Sequence, residues 1–173
     1  MIKNIPKYNF TRFEKATIEE LLRYSIGKQV ESARVIKAGK NITDKLFFEE
    51  TSTRILLKTA DEKLLKNSTY IHYHPYPLPL SFGDILFAFK NKLKKIVAVF
   101  DDGRYSIFIP NTKIQIPTED LIAGNQKIRK IVKKYGEDFI LKNSIEFEKY
   151  KNSMHDFLQK LSQKTNSKYF SNM

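Results

Sequence analysis

The spacing of apolar and polar positions divides the chain into alternating helical and extended segments. Apolar residues that recur at helical intervals predict helices at residues 14–25, 60–66, 81–94, 119–135 and 137–164. Alternating segments rich in β-branched and aromatic residues predict strands at residues 30–38, 70–74, 96–100 and 105–109, and a strand or hairpin at 45–58. This order predicts an α/β (α+β) fold with a mixed central sheet flanked by helices.

The position of the last helices defines the expected domain organisation. Asp102-Gly103 is a strong signal for a hairpin turn between two of the predicted strands. We assign residues 1–118 to one domain and residues 119–173 to a helical, basic extension. The extension should pack on the sheet or on a second subunit in a homodimer, and the polar tail up to Met173 should be frayed.

Composition excludes several kinds of protein. The chain has no cysteine, which removes disulfides and thiolate metal ligands, so any metal must be held by histidine and carboxylate. No apolar run is long enough to cross a bilayer, and the N-terminal residues lack the apolar segment of a secretory signal. We therefore expect a cytoplasmic protein without a membrane partner.

The net charge of +12 has two readings. Lysines at positions 127, 130, 133 and 134 alternate with aliphatic residues, which is typical of an amphipathic helix with a solvated face. The other reading is a surface for nucleic acid, but no nucleic-acid-binding motif accompanies these lysines. We expect weak, non-specific nucleic-acid binding that falls steeply with salt.

Two of the three histidines are separated by a single residue, beside a proline-rich segment. His72 and His74 lie at the end of a predicted strand, so alternation puts both imidazoles on one face. Asp84 returns at the start of a predicted helix. Two histidines and one carboxylate form a three-ligand set for Zn²⁺ that leaves a fourth position open, as in catalytic zinc sites. The alternative is structural, with Ser81 and Asp84 as a helix capping box and the prolines as an extended loop.

The motif His-x-His-Pro, a short spacer and Ser-x-x-Asp, which runs from His72 to Asp84, resembles the signature of the JAMM metalloprotease domain, also called JAB or MPN+. The resemblance covers roughly residues 28–110. It implies a cytidine-deaminase-like fold and a zinc-dependent peptidase or isopeptidase. It also implies that His72, His74 and Asp84 bind zinc and that Ser81 stabilises the oxyanion.

The same resemblance implies a general base and a substrate. Family members use a glutamate far upstream of the motif, and Glu31, at the start of an early predicted strand, is the best match. Glu49 and Glu50 are the alternatives. Tyr76 and Leu78 are expected to line a groove for a protein or peptide substrate.

Two positions depart from the family pattern. Tyr73 stands where Ser, Thr or Asn is usual, and by alternation its side chain should lie in the core. The six-residue spacer between His74 and Ser81 is similar to that of bacterial and phage JAB domains rather than to eukaryotic deubiquitinating members. The remaining histidine, His155, is expected on the surface of a helix. Two other functions stay open: a non-catalytic MPN-like binding or scaffold protein, and a hydrolase that acts on nucleic acid.

Overall fold

The computed structural model arranges the helices and strands around one central sheet. It describes residues 8–26, 31–46, 48–50, 55–57, 62–114, 118–135 and 143–173. The helices of these ranges are α1 (Arg12–Ser25), α2 (Glu62–Leu65), α3 (Phe82–Lys90), α4 (Thr118–Tyr135) and α5 (Ser144–Lys164), with a 3-10 helix at Thr43–Lys45. The strands are β1 (Ala33–Lys37), β2 (Lys40–Asn41), β3 (Phe48–Glu50), β4 (Ile55–Leu57), β5 (Thr69–Tyr73), β6 (Lys95–Val99), β7 (Tyr105–Ile109) and β8 (Lys168–Ser171).

Six of these strands form one mixed sheet in the order β2-β1-β5-β6-β7-β8, and β3 and β4 form a separate antiparallel pair. β5 and β6 are parallel, whereas the other neighbouring strands of the sheet are antiparallel. α3 lies in the connection between the two parallel strands, which need a crossover of this kind. The predicted mixed α/β sheet flanked by helices is confirmed, and an MPN- or JAB-specific arrangement stays a prediction.

Each face of the sheet has its own apolar core, because side chains alternate along a strand. On the α3 face, residues of α3, α4 and α5 pack with strand residues such as Tyr70 and Ile96. On the α1 face, α1 covers a smaller core that includes Ile71 and Tyr73. Tyr73 is 2% exposed, so the prediction that it belongs to the core is confirmed.

α1 begins at a capping box and contributes a buried charge to the α1 face. Thr11 Oγ1 accepts a hydrogen bond from Glu14 N, and the Glu14 carboxylate accepts one from Thr11 N. The other carboxylate oxygen of Glu14 accepts a hydrogen bond from Lys95 Nζ at 2.5 Å. Lys95 also donates to Tyr8 Oη at 2.8 Å. This buried ion pair joins α1 to the start of β6.

The last residues of the chain complete the sheet. β8 pairs antiparallel with β7, so that Tyr169 lies opposite Phe108 and Ser171 opposite Ser106. The prediction of a frayed tail is therefore wrong. The segment is polar overall, but Tyr169 and Ser171 alternate with exposed Lys168, and pairing with β7 satisfies its backbone groups.

α4 and α5 share the core of the α3 face instead of standing apart from it. Leu121 of α4 and Leu158 of α5 are almost fully buried in that core. The two helices approach closely at Gly124, where a Cβ atom would lie 2.2 Å from a ring carbon of Phe157. α4 and α5 are thus joined to the central sheet through one core, and a two-domain division at residue 118 stays a prediction.

Some predicted boundaries differ from the observed ones. α3 ends at Lys90 rather than at residue 94, because Lys92 adopts a left-handed backbone conformation with φ of 50° that a helix does not continue through. The predicted helix at 137–164 is seen from Ser144, and its residues 137–142 lie outside the described residues. Within the described ranges, none of the helices combines the length and apolar character of a bilayer-crossing segment.

Candidate metal centre

The two histidines lie at the C-terminal end of β5, which is an inner strand of the sheet. His72 occupies the second-last position of this strand, between β1 and β6, and is 1% exposed. His74 follows the strand, and its backbone N–H donates to the Val99 carbonyl at 3.0 Å. Because His72 and His74 are two residues apart along extended backbone, their side chains reach the same side of the sheet.

Small side chains flank His72 in the sheet. Ala33 of β1 and Ala98 of β6 are its partners on either side, and Ser106 of β7 is the next residue in the same row. All three are fully buried. Side chains of this size leave room above the sheet for the loop of residues 75–80 and for the start of α3.

α3 begins at the predicted capping box, which also orients Asp84. Asp84 Oδ2 accepts hydrogen bonds from Ser81 N and from Ser81 Oγ, both at 2.7 Å, and Asp84 N donates to Ser81 Oγ at 3.2 Å. These contacts involve Oδ2 and leave Oδ1 directed at His72, at 3.3 Å from its Nε2. The structural reading of Ser81 and Asp84 is therefore correct, and it is compatible with a ligand role for Asp84.

The three candidate ligands converge at distances that suit a small cation. One ligand atom from each of His72, His74 and Asp84 lies within 4.8 Å of the other two. The two Nε2 atoms are 2.8 Å apart, and Asp84 Oδ2 is 3.9 Å from His74 Nε2. A tetrahedral zinc ion with ligands at about 2.1 Å separates those ligands by about 3.4 Å, so small side-chain adjustments admit it. The residues present therefore fit a metal ion.

Backbone contacts fix the orientation of the His74 ring. Its Nδ1 lies 3.0 Å from the Leu78 carbonyl, so Nδ1 carries the proton and Nε2 presents its lone pair to the cluster. Such a contact on the second ring nitrogen is usual for histidines that bind metals. His72 Nδ1 faces the backbone of Val97 without a hydrogen bond of good geometry in the described part of the chain.

Burial and the neighbouring charges shift the pKa values of the three candidate ligands in different directions. Burial, together with the charge of His72, lowers the pKa of His74 to about 4. Burial also opposes a charge on His72, but the Asp84 carboxylate outweighs it and raises the His72 pKa. Burial would raise the pKa of Asp84, yet the charge and hydrogen bond of His72 hold it well below its usual range. Asp84 therefore favours the protonated form of His72, whereas burial favours the neutral form of His74.

Glu31 lies on the face that holds the three ligands. Ala33 pairs with His72 and Tyr73 N donates to Ser32 O at 2.9 Å, so extension of this register by one more residue would place Glu31 across from His74. Burial raises the pKa of Glu31 to about 7, with the charge of His72 lowering it and that of Asp84 raising it. A carboxylate with this pKa next to the ligands has the properties of a general base at neutral pH.

The other predicted site residues occupy different surroundings. Tyr76 is 51% exposed in the loop between β5 and α3, while Leu78 contributes its carbonyl to His74. Side-chain placement of Glu49 and Glu50 falls outside the described residues, and their strand β3 pairs with β4 rather than with the central sheet. Whether Tyr76 and Leu78 contact a substrate stays a prediction.

The expectation for His155 is wrong. Its side chain is buried, with 2% exposure for the residue, and its Nδ1 lies 2.5 Å from Tyr169 Oη. The helical pattern of α5 puts His155 near its apolar stripe, but the partner comes from β8, which sequence reasoning missed. The support of the ligands by the Leu78 carbonyl was also missed, because backbone contacts leave no signal in a side-chain pattern.

Comparison with known proteins adds no relative of this chain. No protein family, curated protein or solved structure matches it.

Proposed function

We propose that this chain is a zinc-dependent peptidase or isopeptidase of the JAMM or JAB type. The observation that carries the proposal is the convergence of His72, His74 and Asp84 at the end of β5, with Glu31 close enough to be influenced by the charges of His72 and Asp84. These four positions are the ones that the motif resemblance assigns to three metal ligands and a general base. The ligand set has two nitrogen donors and one oxygen donor, which leaves room for a fourth ligand.

The residues of the chain divide the proposed reaction between them. A zinc ion held by the triad supplies Lewis acidity, which activates water near neutral pH and polarises a carbonyl. Glu31 accepts the proton of the attacking water and delivers it to the leaving nitrogen of the peptide or isopeptide bond. Ser81 Oγ donates to Asp84 in this state, so a role at the oxyanion requires its hydroxyl to rotate away from Asp84 Oδ2.

Glu31 provides the test that separates catalysis from metal binding. Glu31→Gln should keep the metal and lower kcat/KM toward peptide or isopeptide substrates by about 100-fold or more, because a positioned base contributes about 10²–10⁴-fold. Glu19→Gln, on the exposed side of α1, is the matched control and should keep full activity. Full activity in Glu31→Gln would contradict its role as the base.

The identity of the metal must be determined together with activity. Two histidines and one carboxylate also bind Fe²⁺ in oxygenases, so elemental analysis should distinguish zinc from iron. A zinc-loaded protein that cleaves no peptide or isopeptide bond would favour the non-catalytic MPN-like scaffold instead. An iron-loaded protein would contradict the proposed hydrolysis.

The basic helix α4 supports only a secondary proposal. Arg129, Lys130 and Lys133 are exposed, as expected for a solvated face. We propose weak nucleic-acid binding that falls steeply between low and physiological salt, without sequence preference. Sub-micromolar binding of one defined sequence at physiological salt would move the nucleic-acid hydrolase ahead of the peptidase.

A further inference from the structure

The loop between β5 and α3 holds both halves of the candidate metal centre. Leu78 in this loop accepts the hydrogen bond of His74 Nδ1, and Ser81 at its end donates twice to Asp84. Leu80 lies between these two positions and is 1% exposed. A shift of the backbone at Leu80 would therefore move a supporting contact of His74 and one of Asp84 together.

Prolines restrict how this loop can attach to the sheet. Pro75, Pro77 and Pro79 have no N–H group, so alternate residues of the loop cannot donate a backbone hydrogen bond. The Leu78 N–H is used within the loop, toward the Tyr76 carbonyl at 2.7 Å. The Leu80 N–H donates to Ser106 Oγ of β7 at 3.3 Å, which connects the loop to the sheet.

Ser106 is the first member of a buried row of polar groups that reaches the end of the chain. Its hydroxyl donates to Tyr169 Oη of β8 at 3.5 Å, and Tyr169 Oη lies 2.5 Å from His155 Nδ1 of α5. Ser106, Tyr169 and His155 are 0%, 7% and 2% exposed. Because the row is closed to water, its members depend on one another for hydrogen bonds.

We infer that Ser106, Tyr169 and His155 form a positioning chain that sets the height of the Leu80 backbone above the sheet and thereby the spacing of His74 and Asp84. The inference rests on the proposed metal centre. It gives the C-terminal residues a role at the site although they touch none of its ligands. Tyr169 holds the Ser106 hydroxyl in the orientation that accepts from Leu80, and His155 holds Tyr169.

Two conservative substitutions test this inference in the full-length protein. Ser106→Ala removes the acceptor of the Leu80 N–H, and Tyr169→Phe removes the hydroxyl that orients Ser106. Each should weaken Co²⁺ binding about tenfold, at the lower end of the 10–100-fold range for changes behind metal ligands, and should alter the visible absorption spectrum of the Co²⁺ site. Each should also speed hydrogen exchange in the peptide that contains residues 75–84.

Matched controls separate this effect from a general loss of stability. Ser68→Ala removes a buried hydroxyl that donates to Leu65 O at the opposite end of β5. Tyr105→Phe removes a buried hydroxyl that accepts from Tyr8 N on the α1 face. Both controls should leave the Co²⁺ spectrum, the Co²⁺ affinity and loop exchange unchanged.

The outcomes distinguish this inference from the proposed function. Unchanged Co²⁺ affinity in Ser106→Ala and Tyr169→Phe would overturn the positioning chain, whether or not loop exchange speeds up. An unsubstituted protein that binds no Co²⁺ would contradict the metal centre itself. In that case the exchange rates alone decide whether the chain holds the loop, and unchanged exchange in both variants would overturn it.

Discussion

Two buried polar clusters lie on opposite faces of the sheet, and they differ in what their protons can do. Glu14 and Lys95 on the α1 face form an ion pair of residues that are both charged at neutral pH in water. On the α3 face, His72 and His74 surround Asp84, and histidine is the side chain that exchanges its proton near neutral pH. The protonation state of the first cluster is therefore constant near neutral pH, whereas the second cluster can release a proton and accept a cation in its place.

The geometry of hydrogen bonding agrees with this difference. Lys95 Nζ has direct partners in the Glu14 carboxylate and the Tyr8 hydroxyl, so its charge is satisfied within the protein. The Nε2 atoms of His72 and His74 instead lie 2.8 Å apart, too close for both nitrogens to carry a proton directed at the other. Both clusters contain buried charged groups. Only the cluster on the α3 face brings several lone pairs together, and this convergence is what indicates a metal site.

The largest expected effect concerns metal affinity on the α3 face. Asp84→Asn keeps an oxygen that can accept from Ser81 N but removes the charge that a cation needs. The dissociation constant for Zn²⁺ should rise more than about 100-fold, beyond the upper end for changes behind the ligands. Competition with a chromogenic chelator measures it. Asp102→Asn in the exposed turn before β7 is the control, and an unchanged affinity in Asp84→Asn would remove Asp84 from the ligand set.

The next effect concerns stability on the α1 face. Lys95→Met leaves the Glu14 carboxylate without its partner and should lower the free energy of unfolding by about 2–3 kcal/mol. This is below the range for fully enclosed pairs, since the Glu14 side chain keeps 11% of its exposure. Urea denaturation of the metal-free protein measures it, with Lys94→Met, an exposed neighbour, as the control. Zn²⁺ affinity should stay unchanged, and its loss would mean that the two clusters are coupled.

Acidification should affect the two clusters differently. Metal binding requires neutral His72, whose pKa is raised above its ordinary value, so Zn²⁺ affinity should fall as the pH drops from 7 to 5 and approach a loss of about tenfold per pH unit below that pKa. Burial is the largest influence on the Glu14 pKa and would raise it, but the hydrogen bond and charge of Lys95 together with the contacts of Thr11 outweigh burial and lower the pKa below 4.5. A carboxylate whose pKa is lowered in the folded state stabilises the fold at pH values above its unfolded pKa. This stabilisation is lost as the pH falls through the folded pKa. Lys95→Met removes the lowering effect of Lys95 and leaves burial to raise the Glu14 pKa, so the stability lost in Lys95→Met should be smaller at pH 5 than at pH 7.

The smallest expected effect concerns the helices behind the α3 face. Gly124→Ala places a methyl group against the Phe157 ring and should cost about 1 kcal/mol, because overpacking of about 1–3 kcal/mol is partly offset by the better helix propensity of alanine. Thermal unfolding measures the change. The double variant Gly124→Ala, Phe157→Leu should recover part of the loss. A fully stable Gly124→Ala would mean that α4 and α5 adjust without strain.

The sequence predicted the parts of this molecule that depend on local pattern. Alternation places His72 and His74 on one face, and Ser-x-x-Asp predicts the capping box that orients Asp84, so these contacts follow from residues close in the chain. The burial of His155 depends on Tyr169, and pairing of β8 with β7 joins segments far apart in sequence. Contacts between residues far apart in sequence leave no periodic signal. A short strand such as β8 is also hard to predict, because its polar composition is typical of a loop.

Metal analysis of the purified protein, followed by location of the metal in a crystal, tests the central claim most directly. We predict close to one equivalent of zinc per chain and an anomalous scattering peak between His72, His74 and Asp84, with His74→Ala losing most of the metal. Full metal retention by His74→Ala, or a peak away from these three side chains, would contradict the proposed centre.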